Sequence, residues 1–378
     1  MRIPRSVSRR AVLAAAAAGA VVATSPSYAS IAHPFRSPRT SSTFRTVGRV
    51  RKGADGSVQY AWPGVAFEGR FRGTGVGIVL ADSDNDYDVQ IDGRTVSTLV
   101  TPGRTTSWVD GLTDTEHEVR LVKRTESPWA VGRFGGFVAA AGGAVLPPPA
   151  PRRRQIEFIG DSYTAGYGNV SGTRDCSGNG GVNRNSNADL AFGALTAKRL
   201  GADQQQNAFS GRGMVRNYAG GEPGTDYRTY YDRALLSVDG DVWRRPGTWH
   251  PQLVVIGLGI NDFSTPLGPD EPWATEGDLV AAYASAYHGF LDMLRTRYGT
   301  RTFLLVSSTP VSRTTAFADT ARRIVDERSA RGDRRIGHWH YDDPGLDRLG
   351  CDWHPSLQDH RIISALLDQK IAALPLNW

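Results

Sequence analysis

The sequence predicts an all-β domain followed by an α/β domain with a parallel sheet. Three observations carry this. From about 44 to 141 the apolar residues alternate in short runs punctuated by turn signals. Residues 142–154 break that rhythm with Gly142-Gly143, Pro147-Pro148-Pro149, Pro151 and Arg152-Arg153-Arg154. From 155 onward, continuous apolar runs alternate with stretches of helical period. The chain has 378 residues, 40% hydrophobic and 22% charged, which is room for two cored domains and excludes overall disorder, collagen and coiled coil.

The first 29 residues read as an export signal. Ser8-Arg9-Arg10-Ala11-Val12-Leu13 is a twin-arginine pattern, an apolar run to Ala23 follows, and Ser27-Tyr28-Ala29 offers a small-x-small cleavage site. The alternative is an uncleaved anchor, for which the run is short against a span of about 20 residues. Removing 1–29 takes away four Arg and no acid, leaving 40 Lys and Arg against 38 acids. A charge so near zero argues against nonspecific nucleic-acid binding. No later stretch is long and apolar enough to enter a membrane. The two cysteines, Cys176 and Cys351, can pair in an exported chain in only one intramolecular way, and two free thiols are the alternative. A bridge over so long a loop contributes on the order of 4–5 kcal/mol in the chain-entropy picture.

Residues 30–43 are polar and form a flexible lead-in. In the β domain, 65–71 alternates, 75–80 reads as a buried strand, and 87–91 ends at the hairpin signal Asp92-Gly93. Residues 117–123 alternate again, and no convincing helix intervenes, so the segment reads as a β-sandwich. Residues 142–154 are a stiff linker whose arginines form a solvated face.

Beyond it, Ile156-Glu157-Phe158-Ile159 is a strand ending at Gly160-Asp161-Ser162. Asp189 to Leu200 has helical period, Leu253-Val254-Val255-Ile256 is a strand buried on both faces, and Leu279 to Tyr298 is an amphipathic helix capped by Asp278. Phe303 to Val306 is a further strand, and Ser356 caps a last helix with Asp359 three residues on. Ligands of such sheets bind beyond the carboxyl ends of the strands, which marks Asp161-Ser162 and Asn261-Asp262.

Four segments carry chemistry. A serine directly after a strand, at Gly160-Asp161-Ser162, attacks an acyl carbon when a base removes its proton. Phe209-Ser210-Gly211-Arg212-Gly213 and Gly257-Leu258-Gly259-Ile260-Asn261-Asp262 supply glycine N–H groups and an amide, the donors of an oxyanion hole. Cys351-Asp352-Trp353-His354-Pro355 holds a histidine between a carboxylate, Asp352, and a proline-fixed turn, a fit for a general base. His338 and His340 share one strand face as a conceivable metal pair, but no third ligand is evident, so no metal is expected.

In this order, the four segments resemble the SGNH, or GDSL, hydrolases, whose serine, glycine, asparagine and histidine blocks fall on Ser162, Gly211, Asn261 and His354. The general pattern has Asp three residues before the histidine. Here that position is Cys351, and Asp352 lies two before. This Asp-x-His-Pro form, Gly166-Tyr167-Gly168 after the serine, and segments 85–87, 91–93 and 121–126 of the sandwich resemble carbohydrate esterase family two, over about 45–378. The resemblance implies a three-layer α/β/α, flavodoxin-like hydrolase domain behind an N-terminal jelly roll. It implies acetyl removal from xylan- or mannan-type polysaccharides by Ser162 and His354, with Asp352 or a main-chain carbonyl orienting the imidazole. Ser162, Gly211 and Asn261 form the oxyanion hole, and no metal or organic cofactor is needed. Trp353 and Trp273 are candidates to stack on sugar, with core packing the alternative for each; a Cys176–Cys351 bridge would tie the serine loop to the histidine loop, and a monomer is favoured. The sandwich is expected to wall the cleft or stabilise the fold. A GDSL-type lipase or aryl esterase and a noncatalytic glycan-binding protein are the competing readings.

Overall fold

A computed structural model of the chain describes residues 43–378, apart from 54 and 377. The export signal expected at 1–29, and the lead-in except Thr43, lie outside the described residues.

Among the described residues, nine strands build the first domain: β1 (Phe44–Val47), β2 (Arg51–Lys52), β3 (Val58–Tyr60), β4 (Ala66–Asp82), β5 (Asp86–Ile91), β6 (Arg94–Val100), β7 (Gly103–Lys123), β8 (Gly132–Ala139) and β9 (Ala144–Leu146). Every pairing is antiparallel, in the order β2-β3-β8-β4-β7-β5-β6, with β1 and β9 added along β4. The runs 65–71 and 75–80, read from sequence as two strands, are one strand. Its register against β7 shifts between Gly73 and Gly75, where Gly73 adopts φ +129°. Alternation sends Phe67, Phe71, Val76, Ile78 and Leu80 inward against Tyr87, Val89, Leu121 and Phe134. Asp92 and Gly93 form the two-residue turn between β5 and β6 with φ +50° and +76°, the left-handed pair that such a turn requires.

The stretch read as a solvated linker is tied down. Ala144–Leu146 pairs with Arg70–Arg72 of β4. Arg152 bridges Glu68 of the sandwich at 3.1 Å and Asp203 of the following domain at 2.9 Å.

The second domain has five parallel strands, β10 (Arg154–Gly160), β11 (Ala202–Ala208), β12 (Leu253–Gly257), β13 (Phe303–Ser308) and β14 (Ile336–His340), in the order β11-β10-β12-β13-β14. Its helices are α1 (Ser162–Ala165), α2 (Gly181–Arg184), α3 (Phe192–Leu200), α4 (Tyr227–Tyr231), α5 (Ile260–Phe263), α6 (Glu276–Tyr298), α7 (Ala316–Ala330) and α8 (Leu357–Ala372). β12 shows why both faces are covered. Leu253 and Val255 pack with Phe192 of α3 and Ile363 and Leu367 of α8, while Val254 and Ile256 pack with Tyr287 and Leu291 of α6 and Ile324 of α7.

Two helix starts differ from the sequence reading, and a third helix has no counterpart in it. α3 begins at Phe192, because Asn187 caps a separate 3₁₀ turn at 188–190 and Asp189 is drawn into ion pairs with Arg120 and Lys198. Thr275, not Asp278, caps α6; Asp278 is the reciprocal member of the capping box. α7 escaped notice because its buried stripe is thin, Phe317, Ala321, Ile324 and Val325 amid charge.

The domains also share one buried ion pair. Arg49, after β1, reaches Glu157 of β10 at 2.8 Å with both side chains fully buried. Its guanidinium lies over the rings of Tyr231 (4.3 Å) and Trp243 (4.5 Å). Arg49→Met leaves Glu157 buried without its cation. It is expected to cost about 3–5 kcal/mol in denaturant unfolding, and a loss below about 1 kcal/mol contradicts this role.

Candidate active site

The strand order reverses between β10 and β12, and in such a sheet the crevice opens beyond the strand ends at that point. Ser162 follows β10 and Asn261 follows β12, so they flank it. Gly211 follows β11, the strand on the other side of β10.

Ser162 opens α1, whose N-terminus Asp161 caps by accepting from the Tyr163 N–H at 3.1 Å. A side chain at Gly160 has no room, since a Cβ there falls 2.1 Å from Thr164 Oγ1. His354 comes from the turn before α8 and puts Nε2 2.7 Å from Ser162 Oγ. Its Nδ1 lies 2.9 Å from the carbonyl of Cys351. A carbonyl only accepts, so Nδ1 carries the proton and Nε2 is left to accept from the serine hydroxyl.

The Asp352 carboxylate is not what holds the imidazole. Asp352 Oδ2 accepts from the Tyr167 hydroxyl at 2.8 Å, and the Tyr167 ring covers the imidazole with centroids 4.2 Å apart. The reason is local backbone conformation. Asp352 and Trp353 both adopt left-handed φ, +51° and +64°, and the chain curls so that the Cys351 carbonyl meets the ring of its own turn. Of the two alternatives left by the sequence, the main-chain carbonyl occupies the position. Burial lowers the His354 pKa. The carbonyls of Cys351 and Asp352 and the Asp352 charge act in the opposite direction.

The strained turn is held from several sides. Cys351 N–H donates to the Gly168 carbonyl (3.1 Å) and Asp352 N–H to that of Arg174 (2.8 Å). Cys176 and Cys351 form the disulfide, with Cα atoms 5.6 Å apart. At Gly168, with φ +57°, a Cβ falls 2.3 Å from that of Cys351, so only glycine allows the serine loop this close. Ser356 and Asp359 close a capping box at α8, as the sequence indicates.

Asn261 joins the other two loops. Its Nδ2 donates to the Arg212 carbonyl at 3.0 Å and lies 3.4 Å from Asp161 Oδ2. Gly211 itself is left-handed at φ +76°. Asp262, with no role assigned from sequence, accepts from the N–H groups of Met214, Val215 and Arg216, each at 2.9 Å. Burial pushes its carboxyl up to about 6 and that of Asp161 up to about 7. The only sequence signal for Asp262 was its place beside Asn261. Tyr167 stood out between two glycines, but 185 residues separate it from Asp352.

The expected aromatic contacts divide. Trp353 is 63% exposed beside His354, with the Arg174 guanidinium 3.6 Å over its ring. Trp273 is partly buried and lines a cavity of about 270 Å³ with Arg216, Asn217 and Glu271. His338 and His340 both meet Ser308 Oγ, at 2.9 and 3.0 Å. Among the described residues no three His, Cys, Asp or Glu gather as a metal site, and no helix is long and apolar enough to cross a membrane.

Residues 46–149 match the carbohydrate esterase 2 N-terminal family, and 156–365 match the GDSL-like lipase/acylhydrolase family. An acetylxylan esterase / glucomannan deacetylase of Cellvibrio japonicus is 37% identical over 311 residues, 82% of this chain and 84% of that protein. The chain belongs to carbohydrate esterase family 2. Among solved structures, this family 2 chain is similar to a carbohydrate esterase whose active site is described as having divergent catalytic and non-catalytic binding functions. That match has TM-score 0.80 and 34% identity, over 88% of this chain and 98% of the other. It is also similar to a family two esterase from Clostridium thermocellum in complex with cellohexaose, with TM-score 0.76 and 28% identity, over 87% and 98% of the two chains. The antiparallel sandwich and parallel-sheet hydrolase domain expected from sequence agree with these structures.

Two outcomes follow from the geometry. A base that must be neutral, with its pKa lowered by burial, gives a kcat/KM that falls on acidification only below the ordinary histidine value near 6.5. A pH profile whose acidic limb lies above that value contradicts the burial argument. Cys176→Ser removes the bridge and is expected to lower unfolding stability by about 2–5 kcal/mol, with unchanged stability the contrary result.

Proposed function

We propose that the chain is an exported serine esterase that removes acetyl groups from acetylated polysaccharides of the xylan or mannan type. The observation that carries this is the contact of Ser162 Oγ with a histidine whose other nitrogen is fixed by a carbonyl. The named activity of the Cellvibrio relative supports the substrate class, and the cellohexaose complex of the Clostridium esterase supports a sugar chain as the bound partner. The twin-arginine pattern supports export.

In the mechanism, His354 Nε2 takes the Ser162 proton as Oγ bonds to the acetyl carbon. The N–H groups of Ser162 and Gly211 and the Asn261 amide receive the oxyanion. Collapse breaks the bond to the sugar oxygen, which takes the proton from His354 and leaves as the alcohol. Water then loses a proton to His354, attacks the acetyl-serine and releases acetate with return of the proton to Oγ. The Cys351 carbonyl holds Nδ1–H throughout and spreads the imidazolium charge. Asp352 acts at one remove, by fixing Tyr167 on the ring face. Trp353, exposed beside the base, is the proposed sugar platform, and Trp273 lies deeper in its own cavity.

The test is acetate release from acetylated xylan, acetylated glucomannan and p-nitrophenyl acetate. Ser162→Ala is expected to lower release by at least about a thousandfold with its melting temperature kept. Wild-type release by that variant overturns the serine assignment. Release confined to the nitrophenyl ester overturns the polysaccharide.

A further inference from the structure

Glu126 belongs to the sandwich, three residues beyond β7, yet its carboxylate is spent on the hydrolase domain. Oε1 accepts from the Ser210 N–H at 2.6 Å, and Oε2 accepts from the Ser210 hydroxyl. Ser210 immediately precedes Gly211. A carboxylate that takes both donors of Ser210 fixes the 209–210 peptide and the serine rotamer, and so the starting point of the next peptide, which carries the Gly211 N–H.

The carboxylate is itself anchored. Lys123 is fully buried and donates to the Thr125 carbonyl at 2.7 Å, and the Thr125 hydroxyl donates to Asn85 Oδ1 at 2.8 Å. Asn85 Nδ2 in turn donates to Asp82 at 2.8 Å. Segment 123–126 is thus pinned to the sandwich interior. Burial pushes the Glu126 carboxyl above the ordinary range, while the two bonds from Ser210 and the Lys123 charge favour its ionised form.

The far side of the same loop is held from within the hydrolase domain, by Asn261 at the Arg212 carbonyl and by Asp262 at the N–H groups of 214–216. Within the hydrolase domain the near side has a backbone bond, from the Phe209 N–H to the Gly160 carbonyl (3.0 Å), and among the described residues the side chain that holds Ser210 is Glu126. We propose that Glu126 is a positioning residue for the oxyanion hole, acting through Ser210 to set the Gly211 N–H. The sandwich thereby completes the active site. This rests on the reading of Ser162, Gly211 and Asn261 as the oxyanion donors.

The test uses the full chain. Glu126→Ala, Glu126→Gln and Ser162→Ala are compared for kcat and KM on p-nitrophenyl acetate, for melting temperature, and for inhibition by phenylboronic acid. The boronic acid closes a tetrahedral adduct on a serine nucleophile and places an oxygen where the oxyanion forms. Glu126→Ala is expected to lower kcat about ten- to a hundredfold with KM held within about threefold, and to weaken boronic acid inhibition by a similar factor. The glutamine carboxamide can accept from the Ser210 N–H and donate to its Oγ, so Glu126→Gln is expected to return kcat to within about threefold of wild type.

Wild-type kcat and boronic acid affinity in Glu126→Ala overturn the proposal. So does a loss of activity that matches only the loss of folded protein. If Glu126→Ala does not fold, Ser210→Ala, which removes one of the two bonds, takes its place: a lowered kcat at constant KM supports the proposal and an unchanged kcat overturns it. An inactive Ser162→Ala beside a fully active Glu126→Ala defeats only this inference, whereas an active Ser162→Ala defeats the serine reading as well.

Discussion

The hydrogen bond from His354 Nδ1 to the Cys351 carbonyl decides which imidazole nitrogen can take a proton. Without a fixed acceptor at Nδ1 the neutral ring is free to exchange tautomers, and the form protonated at Nε2 cannot accept from the Ser162 hydroxyl. Much of the surrounding structure exists to keep that carbonyl in place. It sits at the start of a turn with two consecutive left-handed side-chain-bearing residues, a conformation that a bulky tryptophan does not adopt unaided. The disulfide, the Gly168 and Arg174 carbonyls, and the cap of α8 together over-determine it. The strain is local, and the fixings that offset it come from the stretch 168–176 and from the start of α8.

Topology supplies the other half. In a parallel sheet of this order, the loops after β10 and β12 diverge to opposite faces, and a gap opens between them. The serine and the asparagine come from those loops, the glycine from the neighbouring one after β11, and the histidine from a turn far along the chain. Because Ser162, Gly211 and Asn261 follow strand ends, their spacing is set by the sheet and not by the loops alone. The sandwich is not a loosely tethered passenger. The buried Arg49–Glu157 pair and the Arg152 bridges to Glu68 and Asp203 join it to the hydrolase domain, and Glu126 extends the same contact to Ser210, in the loop after β11.

Much of this was legible in the sequence, for identifiable reasons. Ser162, Asn261 and His354 each stand directly after a strand or before a capped helix, so their positions follow from local signals. The Cys176–Cys351 pairing was the only one the composition allowed. What was not legible depended on backbone torsions and on contacts between distant segments. No residue pattern announces that Asp352 and Trp353 turn left-handed, so a carboxylate two positions from the base looked like its orienter. Two apolar runs in β4 looked like two strands because a glycine pair at a bulge is indistinguishable from a turn. Asp278 looked like a cap because Thr275 three residues earlier is equally good, and the reciprocal bond between them shows only in the structure. Ala144–Leu146 was hidden by its prolines, and Glu126 by a separation of 84 residues from Ser210.

A peptide carbonyl, not a carboxylate, lies at Nδ1 of His354. The most direct measurement is kcat of Asp352→Ala on p-nitrophenyl acetate at a pH where His354 is neutral. The expected loss is no more than about tenfold, since the Cys351 carbonyl still holds Nδ1 and what is removed is the Tyr167 contact and one charge near the ring. A loss of roughly ten-thousandfold, the size seen when the orienting carboxylate of a serine triad is removed, contradicts it.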